Sequence, residues 1–293
     1  MELVPITNYI GVEVRGIDIR KRLSDENFEK IYKAWNNSCV LLIRDQNVST
    51  EQHVEFSRRF GQLVSYTRPQ FSEMEEPEVL VLSNIKKDGK YIGSPFSGRV
   101  WHTDGHYLTH PPAGSFMHAI KVTPEGGDTW FANMMAAYDE LPESVKTRIE
   151  NLQVVISRLQ SRPYNYPDRN PPTEEEKKEW VDIAHPIVRT HEINGRKALY
   201  VGGNVPWQIK GMSRLESASL VTFLQEFSVQ PKFTYRHKWR VGDLLLWDNR
   251  SSMHKATKYD EVNHVRLMHR TTIASRKPAL RNGEIMSNDG VLA

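Results

Sequence analysis

GDLLLWDNRSSMHK, residues 242–255, and HVRLMHRTTI, residues 264–273, are the two stretches of this chain that indicate its architecture most clearly. The first begins with a short apolar run that ends in polar turn residues, which is typical of a buried strand. The second alternates, so that Arg266, Met268 and Arg270 share one face and the residues between them share the other. Both stretches therefore predict a β core.

Arg266 and Arg270 are unexpected on a strand whose other residues are mostly apolar. Burying a charged side chain is costly unless an opposite charge meets it. The two guanidiniums therefore predict an anionic ligand on their face of the strand. A solvated outer face would also accommodate two arginines, and these residues alone do not separate the two interpretations.

Short strand-like runs recur through the rest of the chain, between segments with helical spacing. Further strands are predicted at 79–83, 115–122, 187–190, 198–201 and 232–240. Helices are predicted to begin at Ser24, at Pro142 and at the capping box formed by Ser213 and Glu216. The pattern indicates a mainly β protein with flanking helices, of the α+β class. Residues 1–293 contain no repeat or linker, so we expect a single domain.

The chain contains two His-x-acid motifs, and His102-Thr103-Asp104 is the second of them. With 11 His and 36 Asp+Glu in 293 residues, about one such motif is expected by chance. The first, His53-Val54-Glu55, follows a capping box formed by Ser49 and Gln52 and is predicted to be helical. Residues i and i+2 of a helix do not share a face, so His53 and Glu55 cannot hold one ion.

His102 and Asp104 lie in a different local setting. Residues 99–104 include β-branched and aromatic residues and have no helical period. On a strand, the two side chains would point to the same side, about 6.6 Å apart along the chain. A third donor, His254, follows the turn after the 242–249 strand, although a lone histidine is more often structural. Two imidazoles and one carboxylate form the facial triad that binds Fe(II) and leaves coordination positions open.

Several motifs resemble the taurine dioxygenase / 2,4-dichlorophenoxyacetate dioxygenase family, and they occur in that family's order. They are Trp101-His102-Thr103-Asp104, Pro111-Pro112-Ala113, Gly126-Gly127-Asp128-Thr129, Trp247-Asp248-Asn249-Arg250, Met253-His254 and the 266–272 stretch. The similarity runs nearly end to end. It implies a double-stranded β-helix of the jelly-roll type and an oxidoreductase, namely an Fe(II)- and 2-oxoglutarate-dependent dioxygenase.

The resemblance also implies a role for each matched residue. His102, Asp104 and His254 would bind Fe(II). Arg266, with the hydroxyl of Thr129, would bind the distal carboxylate of the co-substrate 2-oxoglutarate. The reaction would consume O2, release succinate and CO2, and hydroxylate a prime substrate. Asp104 favours hydroxylation, because related halogenases have a small residue at that position.

The prime substrate is predicted to be a small organic acid. Arg270 would lie beside the metal, near the inner carboxylate of 2-oxoglutarate or an anionic group of the prime substrate. Arg99 is a second candidate cation. Tyr66 occupies the position, after the Phe-Gly-x-Leu element at 60–63, where taurine dioxygenases have a histidine. This departure argues against taurine itself and favours an aryloxyalkanoate-like carboxylate, an alkylsulfonate or a sulfate ester.

Two other functions remain open on the sequence. The same frame could bind a metal and an anion without turnover, because a fold does not determine a function. A metal-dependent isomerase or hydrolase would place water in the open coordination position, but it would leave Arg266 without a dicarboxylate. Within the dioxygenase interpretation, hydroxylation could also lead to cleavage of the substrate.

The composition limits the partners. The net charge of +3, from 39 Lys+Arg and 36 Asp+Glu, argues against nucleic acid as the main partner. The apolar runs are shorter than a membrane span, and the N-terminus lacks the features of a signal peptide. The single cysteine, Cys39, fits a reducing compartment. We therefore expect a cytoplasmic enzyme with small-molecule partners and no membrane, and a homo-oligomer is left open.

Two segments are predicted to be loop-rich. Residues 162–182 begin with several prolines and continue in a charged run from Thr173, which predicts a loop followed by a short helix. Long loops are often lids over a site, although an inert surface excursion is equally compatible with this composition. Residues 86–99 contain the hairpin signal Asp88-Gly89 and lead into the 99–104 stretch, so they are candidate substrate contacts.

Overall fold

The computed structural model describes residues 1–65, 76–95, 98–165, 170–203 and 208–275, and the backbone of 280–281 and 284–285. Its strands are β1 (Glu2–Pro5), β2 (Val12–Arg15), β3 (Val40–Ile43), β4 (Leu80–Ser83), β5 (Lys86–Lys87), β6 (Lys90–Tyr91), β7 (Gly114–Lys121), β8 (Thr129–Asn133), β9 (Gln153–Ile156), β10 (Ile183–Pro186), β11 (Val188–Thr190), β12 (Lys197–Leu199), β13 (Gln208–Ile209), β14 (Thr234–His237), β15 (Leu244–Asp248), β16 (Ser252–Ala256), β17 (Leu267–Ile273), β18 (Leu280–Arg281) and β19 (Glu284–Ile285). Its helices are α1 (Asp25–Ser38), α2 (Thr50–Arg58), α3 (Met134–Asp139), α4 (Glu143–Ile149), α5 (Arg158–Asn165), α6 (Glu174–Glu179) and α7 (Arg214–Ser228).

The main sheet has the strand order β1-β2-β3-β15-β7-β17-β4. Its neighbouring strands are antiparallel, except for the parallel pair β2 and β3. The apolar run predicted as a buried strand is β15, and all five of its residues are buried. The alternating run becomes β17, which pairs with β7 on one side and β4 on the other. The two stretches that predicted a β core therefore flank β7 in the main sheet.

A second sheet, in the order β14-β8-β16, shares one apolar core with the main sheet. The main sheet contributes Met117, Leu245 and Met268 to this core, and the second sheet contributes Phe131 and Met253. The face of the main sheet that carries these residues is its inner face. Helix α3 follows β8 directly and is itself almost entirely buried. The result is a mixed α+β architecture with an apolar core between two mainly antiparallel sheets.

Helices α1 and α2 cover the other side of the main sheet, its outer face. Trp35 of α1 and Phe56 of α2 join Phe116 and Ile273 of the sheet in a separate apolar cluster. In β17, Met268 and Arg270 point inward, whereas Ile273 points outward, as the period of two requires. One strand thus supplies Arg270 to the interior and Ile273 to the outer apolar cluster.

The predicted helix starts are confirmed. Ser24 caps α1, Pro142 precedes α4, and Ser213 forms the predicted capping box with Glu216 at the start of α7. The capping box at Ser49 also forms and begins α2. These signals are local, because a capping side chain accepts a hydrogen bond from a backbone N–H three residues later in the same segment.

The strand predicted across 99–104 is wrong. His102 makes only an isolated β-bridge with His254, and a turn begins at Asp104. Gly105 adopts a φ of +64°, and a Cβ there would lie 2.5 Å from Cδ of Pro112. Glycine therefore allows the chain to turn sharply just after Asp104. The strand predicted over 232–240 is also shorter than expected, because a 3-10 helix (Pro231–Phe233) precedes β14.

The two loop-rich segments contain the predicted local elements. Asp88 and Gly89, with φ of +50° and +78°, join β5 to β6 in a two-residue hairpin. The short helix predicted after Thr173 is α6, which begins with a capping box. The loop predicted to begin at Arg162 is wrong for residues 162–165, which form the end of α5 with Pro163 inside the helix. Residues 166–169, between α5 and α6, lie outside the described residues. No helix in the described part of the chain is long and apolar enough to cross a membrane.

Candidate active site

His102 and His254 are brought together by backbone pairing. The N–H of His102 donates to the carbonyl of His254 at 3.0 Å, and the N–H of His254 donates to the carbonyl of His102 at 2.8 Å. Their imidazole centroids lie 4.1 Å apart. Residues 152 positions apart in the chain therefore present their side chains to the same small volume, beside the middle of β16.

Asp104 completes the group because the turn after His102 folds its carboxylate back. Oδ1 of Asp104 lies 3.7 Å from Nε2 of His102 and 3.8 Å from Nε2 of His254. One donor atom from each residue lies within 4.8 Å of the others. Adjacent ligands of an octahedral ion with bonds of about 2.1 Å are about 3.0 Å apart, so small side-chain rotations would suffice to enclose an ion.

Backbone contacts fix the ring of His102. Its Nδ1 lies 2.8 Å from the carbonyl oxygen of Val100, which can only accept. Nδ1 therefore carries the proton and Nε2 keeps the lone pair that a metal needs. Gly98, with a φ of +76°, approaches so closely that a Cβ there would lie 3.0 Å from Cε1 of His102. The narrow space restrains the ring from the other side.

His254 lies in an apolar wall. Its ring packs against Trp247, at 4.8 Å between centroids, and against Phe131, at 6.1 Å. Burial, and next the neighbouring His102, hold the pKa of His254 well below its usual range. Its Nδ1 has no hydrogen-bond partner among the described residues. A buried imidazole that stays neutral is suited to metal binding, because only the neutral form can donate a ring-nitrogen lone pair.

The carboxylate of Asp104 is held ionised by its surroundings. Burial alone would raise its pKa, but the Arg270 guanidinium and the Ser115 hydroxyl hold the pKa well below its usual range. Ser115 donates to Oδ2 at 2.7 Å, and Asn249 donates to Ser115 at 3.2 Å. The carboxylate is therefore both charged and oriented.

These donors fit a divalent metal. Two neutral imidazoles and one ionised carboxylate are the ligand states that metal binding requires. Within the part of the chain that the structure describes, His102, Asp104 and His254 are the one group of three or more such residues close enough to share an ion. The facial triad leaves other coordination positions for oxygen chemistry. The site residues expected to converge from distant stretches do converge.

Arg270 reaches the same centre from β17. Its Nη1 lies 3.3 and 3.2 Å from the two carboxylate oxygens of Asp104, and only 8% of the residue is exposed. The alternative of a solvated outer face is therefore wrong for Arg270. A buried guanidinium next to the metal donors makes this side of the centre positively charged.

Arg266 lies one residue before β17 and is held differently. Its backbone N–H donates to Asn84 and its carbonyl accepts from Ser83. Burial lowers the pKa of its guanidinium to about 10, although Tyr259 and Asp128 oppose the shift. None of the described carboxylates forms an ion pair with it. A partly buried cation without an ion pair is costly, and it therefore indicates an anionic ligand.

Thr129 is the first residue of β8, and Gly127, two residues before it, packs closely against the Arg266 side chain. A Cβ on Gly127 would lie 3.4 Å from both Cδ and Nε of Arg266. The hydroxyl of Thr129 accepts a hydrogen bond from Nε1 of Trp239 at 3.0 Å. Trp239 is a residue that the sequence did not single out. Its only sequence signal is its position shortly before β15.

The two predicted substrate contacts other than Arg270 have different outcomes. Arg99 forms an ion pair with Glu261 and is partly exposed. Tyr66 lies outside the described residues. Ser115 and Asn249, which orient Asp104, were not predicted. Asn249 belongs to a quoted motif, but neither residue carries a sequence signal for contact with Asp104.

The chain is similar to known proteins along almost its full length. The sequence profile described as taurine catabolism dioxygenase TauD, TfdA family matches residues 2–272. An alpha-ketoglutarate-dependent 2,4-dichlorophenoxyacetate dioxygenase from Burkholderia sp. (strain RASC) is 32% identical, over 92% of this chain and 92% of that protein. An alpha-ketoglutarate-dependent sulfate ester dioxygenase from Pseudomonas putida is 30% identical, over 97% of this chain and 93% of that protein.

Solved structures are similar over the same range. The crystal structure of AAD-2 in complex with Mn(II) and N-oxalylglycine has a TM-score of 0.80 and 31% identity, covering 95% of this chain and 99% of that one. A taurine dioxygenase from Burkholderia xenovorans has a TM-score of 0.78 and 28% identity, covering 97% of this chain and 92% of that one. The predicted jelly-roll fold of the α+β class is confirmed.

Proposed function

This chain belongs to the TauD, TfdA family of Fe(II)- and 2-oxoglutarate-dependent dioxygenases, and from that premise we propose that it hydroxylates a small organic acid with release of succinate and CO2. The family fixes the reaction class and the cofactors, Fe(II) and 2-oxoglutarate. The residue roles and the nature of the prime substrate are our proposals. Each is supported below by charge, burial and contacts.

We propose that His102, Asp104 and His254 bind the iron. Bound Fe(II) would supply O2 activation coupled to decarboxylation of the 2-oxoacid. The protein's contribution is to present three donors in the right protonation states and orientations. The Val100 carbonyl directs the lone pair of His102, and Ser115 holds the carboxylate of Asp104. Residues that orient metal ligands in this way commonly affect affinity by about 10- to 100-fold.

Arg266 is proposed to bind the distal carboxylate of 2-oxoglutarate together with Thr129. The planar guanidinium can form two parallel hydrogen bonds to a carboxylate. A hydrogen bond to a charged group contributes about 1.5–3 kcal/mol. The partly buried guanidinium lacks an ion-pair partner among the described carboxylates, and a bound dicarboxylate would supply one.

The acidic-substrate proposal is carried by Arg270, which is buried and lies beside the proposed metal ligands. Fe(II) with Arg266 and Arg270 has four positive charges, and Asp104 provides one negative charge. Binding of doubly charged 2-oxoglutarate leaves one positive charge, which a monoanionic prime substrate would neutralise. Because uncompensated buried charge is unfavourable, the centre should prefer such a substrate to a neutral one. Arg270, already inside the centre, is the proposed partner of its anionic group.

The substrate class proposed here is a carboxylate of the aryloxyalkanoate type, an alkylsulfonate or a sulfate ester. Two relatives are named for 2,4-dichlorophenoxyacetate and for sulfate esters. Arg99 and Tyr66 stay predicted substrate contacts. We also propose that residues 1–293 act as one domain and that 162–182 act as a lid. In support of the lid, Arg158 of α5 stacks on Tyr107, three residues after Asp104, and on Trp180.

The test is an anaerobic titration followed by turnover. Fe(II) and 2-oxoglutarate added to the protein without oxygen should produce a weak visible charge-transfer band. Oxygen should then release succinate, and the rate should rise with one class of anion from a panel of carboxylates, sulfonates and sulfate esters. Neutral amides or alcohols of the same shape serve as matched controls. Equal stimulation by the neutral compounds would refute the acidic substrate, and no band with no succinate would favour the non-catalytic binding protein.

A further inference from the structure

The indole of Trp239 ends on the hydroxyl assigned to 2-oxoglutarate. Nε1 of Trp239 donates to Oγ1 of Thr129 at 3.0 Å. Trp239 is 8% exposed and Thr129 is 6% exposed, so the contact is shielded from water. Thr129 is the first residue of β8, which lies between β14 and β16. The backbone that carries the hydroxyl is therefore fixed on both sides.

Trp239 is itself locked in place. Its ring meets the ring of His237 edge-on, at 4.5 Å between centroids and an interplanar angle of 89°. Nδ1 of His237 lies 2.8 Å from the hydroxyl of Tyr235, and its Nε2 lies 3.0 Å from Oδ2 of Asp243. Asp243 in turn accepts two hydrogen bonds from Arg44 at 3.0 Å. The indole N–H thus has a defined direction.

A threonine hydroxyl has one hydrogen to donate and two lone pairs to accept with. When the indole N–H takes one lone pair, the hydroxyl hydrogen must point elsewhere. Trp239 is the partner of this hydroxyl within the described parts of the chain. A hydroxyl that accepts one hydrogen bond also becomes a stronger donor, because hydrogen bonds in a chain polarise one another. The hydroxyl is therefore prepared to donate to a carboxylate oxygen.

We propose that Trp239 is a positioning residue for the co-substrate: its N–H orients and polarises the Thr129 hydroxyl so that this hydroxyl donates to the distal carboxylate of 2-oxoglutarate. The inference rests on the proposed role of Thr129 and Arg266. It adds a third residue to the recognition of the far end of the co-substrate. Trp239 acts on the co-substrate only through Thr129.

The alternative is that a buried tryptophan has simply found a hydrogen-bond partner, as most do. The two interpretations differ in one measurable respect. A positioning role affects only those 2-oxoacids that carry a distal carboxylate. If the role of Trp239 is purely structural, replacing it would weaken the binding of every 2-oxoacid to the same extent, because the whole site would be disturbed.

The experiment compares 2-oxoglutarate with 2-oxopentanoate, which has the same chain length without the distal carboxylate. Binding of each to the Fe(II) protein is followed by the anaerobic charge-transfer band. Trp239→Phe should lower the affinity for 2-oxoglutarate by about tenfold. The lower affinity for 2-oxopentanoate should stay unchanged. At saturating 2-oxoglutarate the turnover number should stay close to that of the wild type, while the KM for 2-oxoglutarate rises.

A second variant isolates the N–H. Incorporation of 3-benzothienylalanine at position 239 replaces the N–H with sulfur and retains the two fused rings, so it should reproduce the effect even if Trp239→Phe folds poorly. Thr129→Val should remove the sensitivity, so that Trp239→Phe has no further effect in that background. Trp130→Phe, a change at the next residue along β8, is the matched control and should leave the affinity for 2-oxoglutarate unchanged.

Two results would overturn the inference. One is an equal loss of affinity for both 2-oxoacids, and the other is a full effect of Trp239→Phe in the Thr129→Val background. Either would return Trp239 to a structural role while the dioxygenase assignment stands. Failure of the proposed co-substrate site is a separate outcome, since the wild-type protein would then bind 2-oxoglutarate no more tightly than 2-oxopentanoate.

Discussion

The two His-x-acid segments, at 53–55 and 102–104, have the same spacing and opposite fates. His53 lies on α2 with its ring buried, and Glu55, two residues later, is exposed. His102 and Asp104 instead turn toward one another and toward His254. The helix separates the first pair onto different sides, whereas the bridge and turn bring the second pair together. Local spacing therefore identifies a metal site only when the backbone conformation is known as well.

The comparison extends across the main sheet. On its inner face, Ser115 and Arg270 contact Asp104. On its outer face, the ring of His53 lies 5.8 Å from that of His118, with no carboxylate beside it among the described residues. Burial lowers the pKa of His53 to about 3, and the nearby His118 and His269 contribute to the same shift. His254 has a carboxylate beside it and is placed to bind a metal, whereas His53 on the outer face has none beside it among the described residues and is a core residue.

The largest expected effect is that of removing the carboxylate of Asp104. Asp104→Ala should reduce succinate release by about a thousandfold or more, because the metal loses one of three ligands. The fold should be retained, as judged by circular dichroism. Glu55→Ala is the matched change in the other His-x-acid segment and should leave turnover unchanged. Wild-type turnover by Asp104→Ala would show that Asp104 is not a metal ligand. The two His-x-acid segments would then not differ in function as proposed.

The next largest effect is expected at Arg266, which has no ion pair with a described carboxylate. Arg266→Ala should raise the concentration of 2-oxoglutarate needed for half-maximal rate by about 10- to 150-fold, which corresponds to the loss of a charge-assisted hydrogen bond. The requirement for the prime substrate should change far less. Steady-state kinetics with each substrate varied in turn provide the measurement. A rise confined to the prime substrate would require the roles of Arg266 and Arg270 to be exchanged.

The outer face should show itself in the pH dependence of stability. The pKa of His53 falls from 6.5 to about 3 on folding, so the unfolded chain binds a proton that the folded protein excludes. Stability is therefore retained above pH 6.5 and is lost as the pH falls from 6.5 toward 3. For a shift of this size the loss between pH 7 and pH 5 is about 2 kcal/mol. The free energy of unfolding, measured in urea at both pH values, should reveal it.

His53→Leu should remove this part of the pH dependence without affecting turnover. Leucine keeps an apolar side chain of similar size in the outer core and has no proton to gain. The variant should therefore lose about 2 kcal/mol less than the wild type between pH 7 and pH 5. If the two proteins lost the same free energy over that range, His53 would not be the neutral buried group that the structure indicates.

The smallest effects distinguish two buried serines. Ser115→Ala should weaken Fe(II) binding by about tenfold, because Asp104 loses the hydroxyl that orients it. Ser57 is the matched residue on the outer side, where it donates to the carbonyl of His53 and accepts from Thr271. Ser57→Ala should change stability alone. Competition with a chromophoric chelator measures Fe(II) affinity, and equal effects of the two changes on it would argue against a specific role for Ser115.

Much of the local structure could be predicted because its causes are local. The caps at Ser24, Ser49 and Ser213, the hairpin at Asp88-Gly89 and the buried run of β15 all depend on residues within a few positions of each other. The strand predicted across 99–104 failed for the opposite reason. The bridge at His102 depends on a partner 152 residues away, and the turn at Asp104 depends on the space that Pro112 leaves beside Gly105.

The donor residues, their order and the family resemblance could be read from the sequence, since residue identity sets which atoms can bind a metal or an anion. That Ser115 and Asn249 orient Asp104, and that Trp239 donates to Thr129, follows from the packing of distant strands. The same packing gives Arg270 a carboxylate neighbour while Arg266 has no ion pair with a described one. These contacts depend on the pairing of strands that are far apart in the chain. A short stretch of sequence contains only one of the two residues in each contact, so it cannot predict the contact.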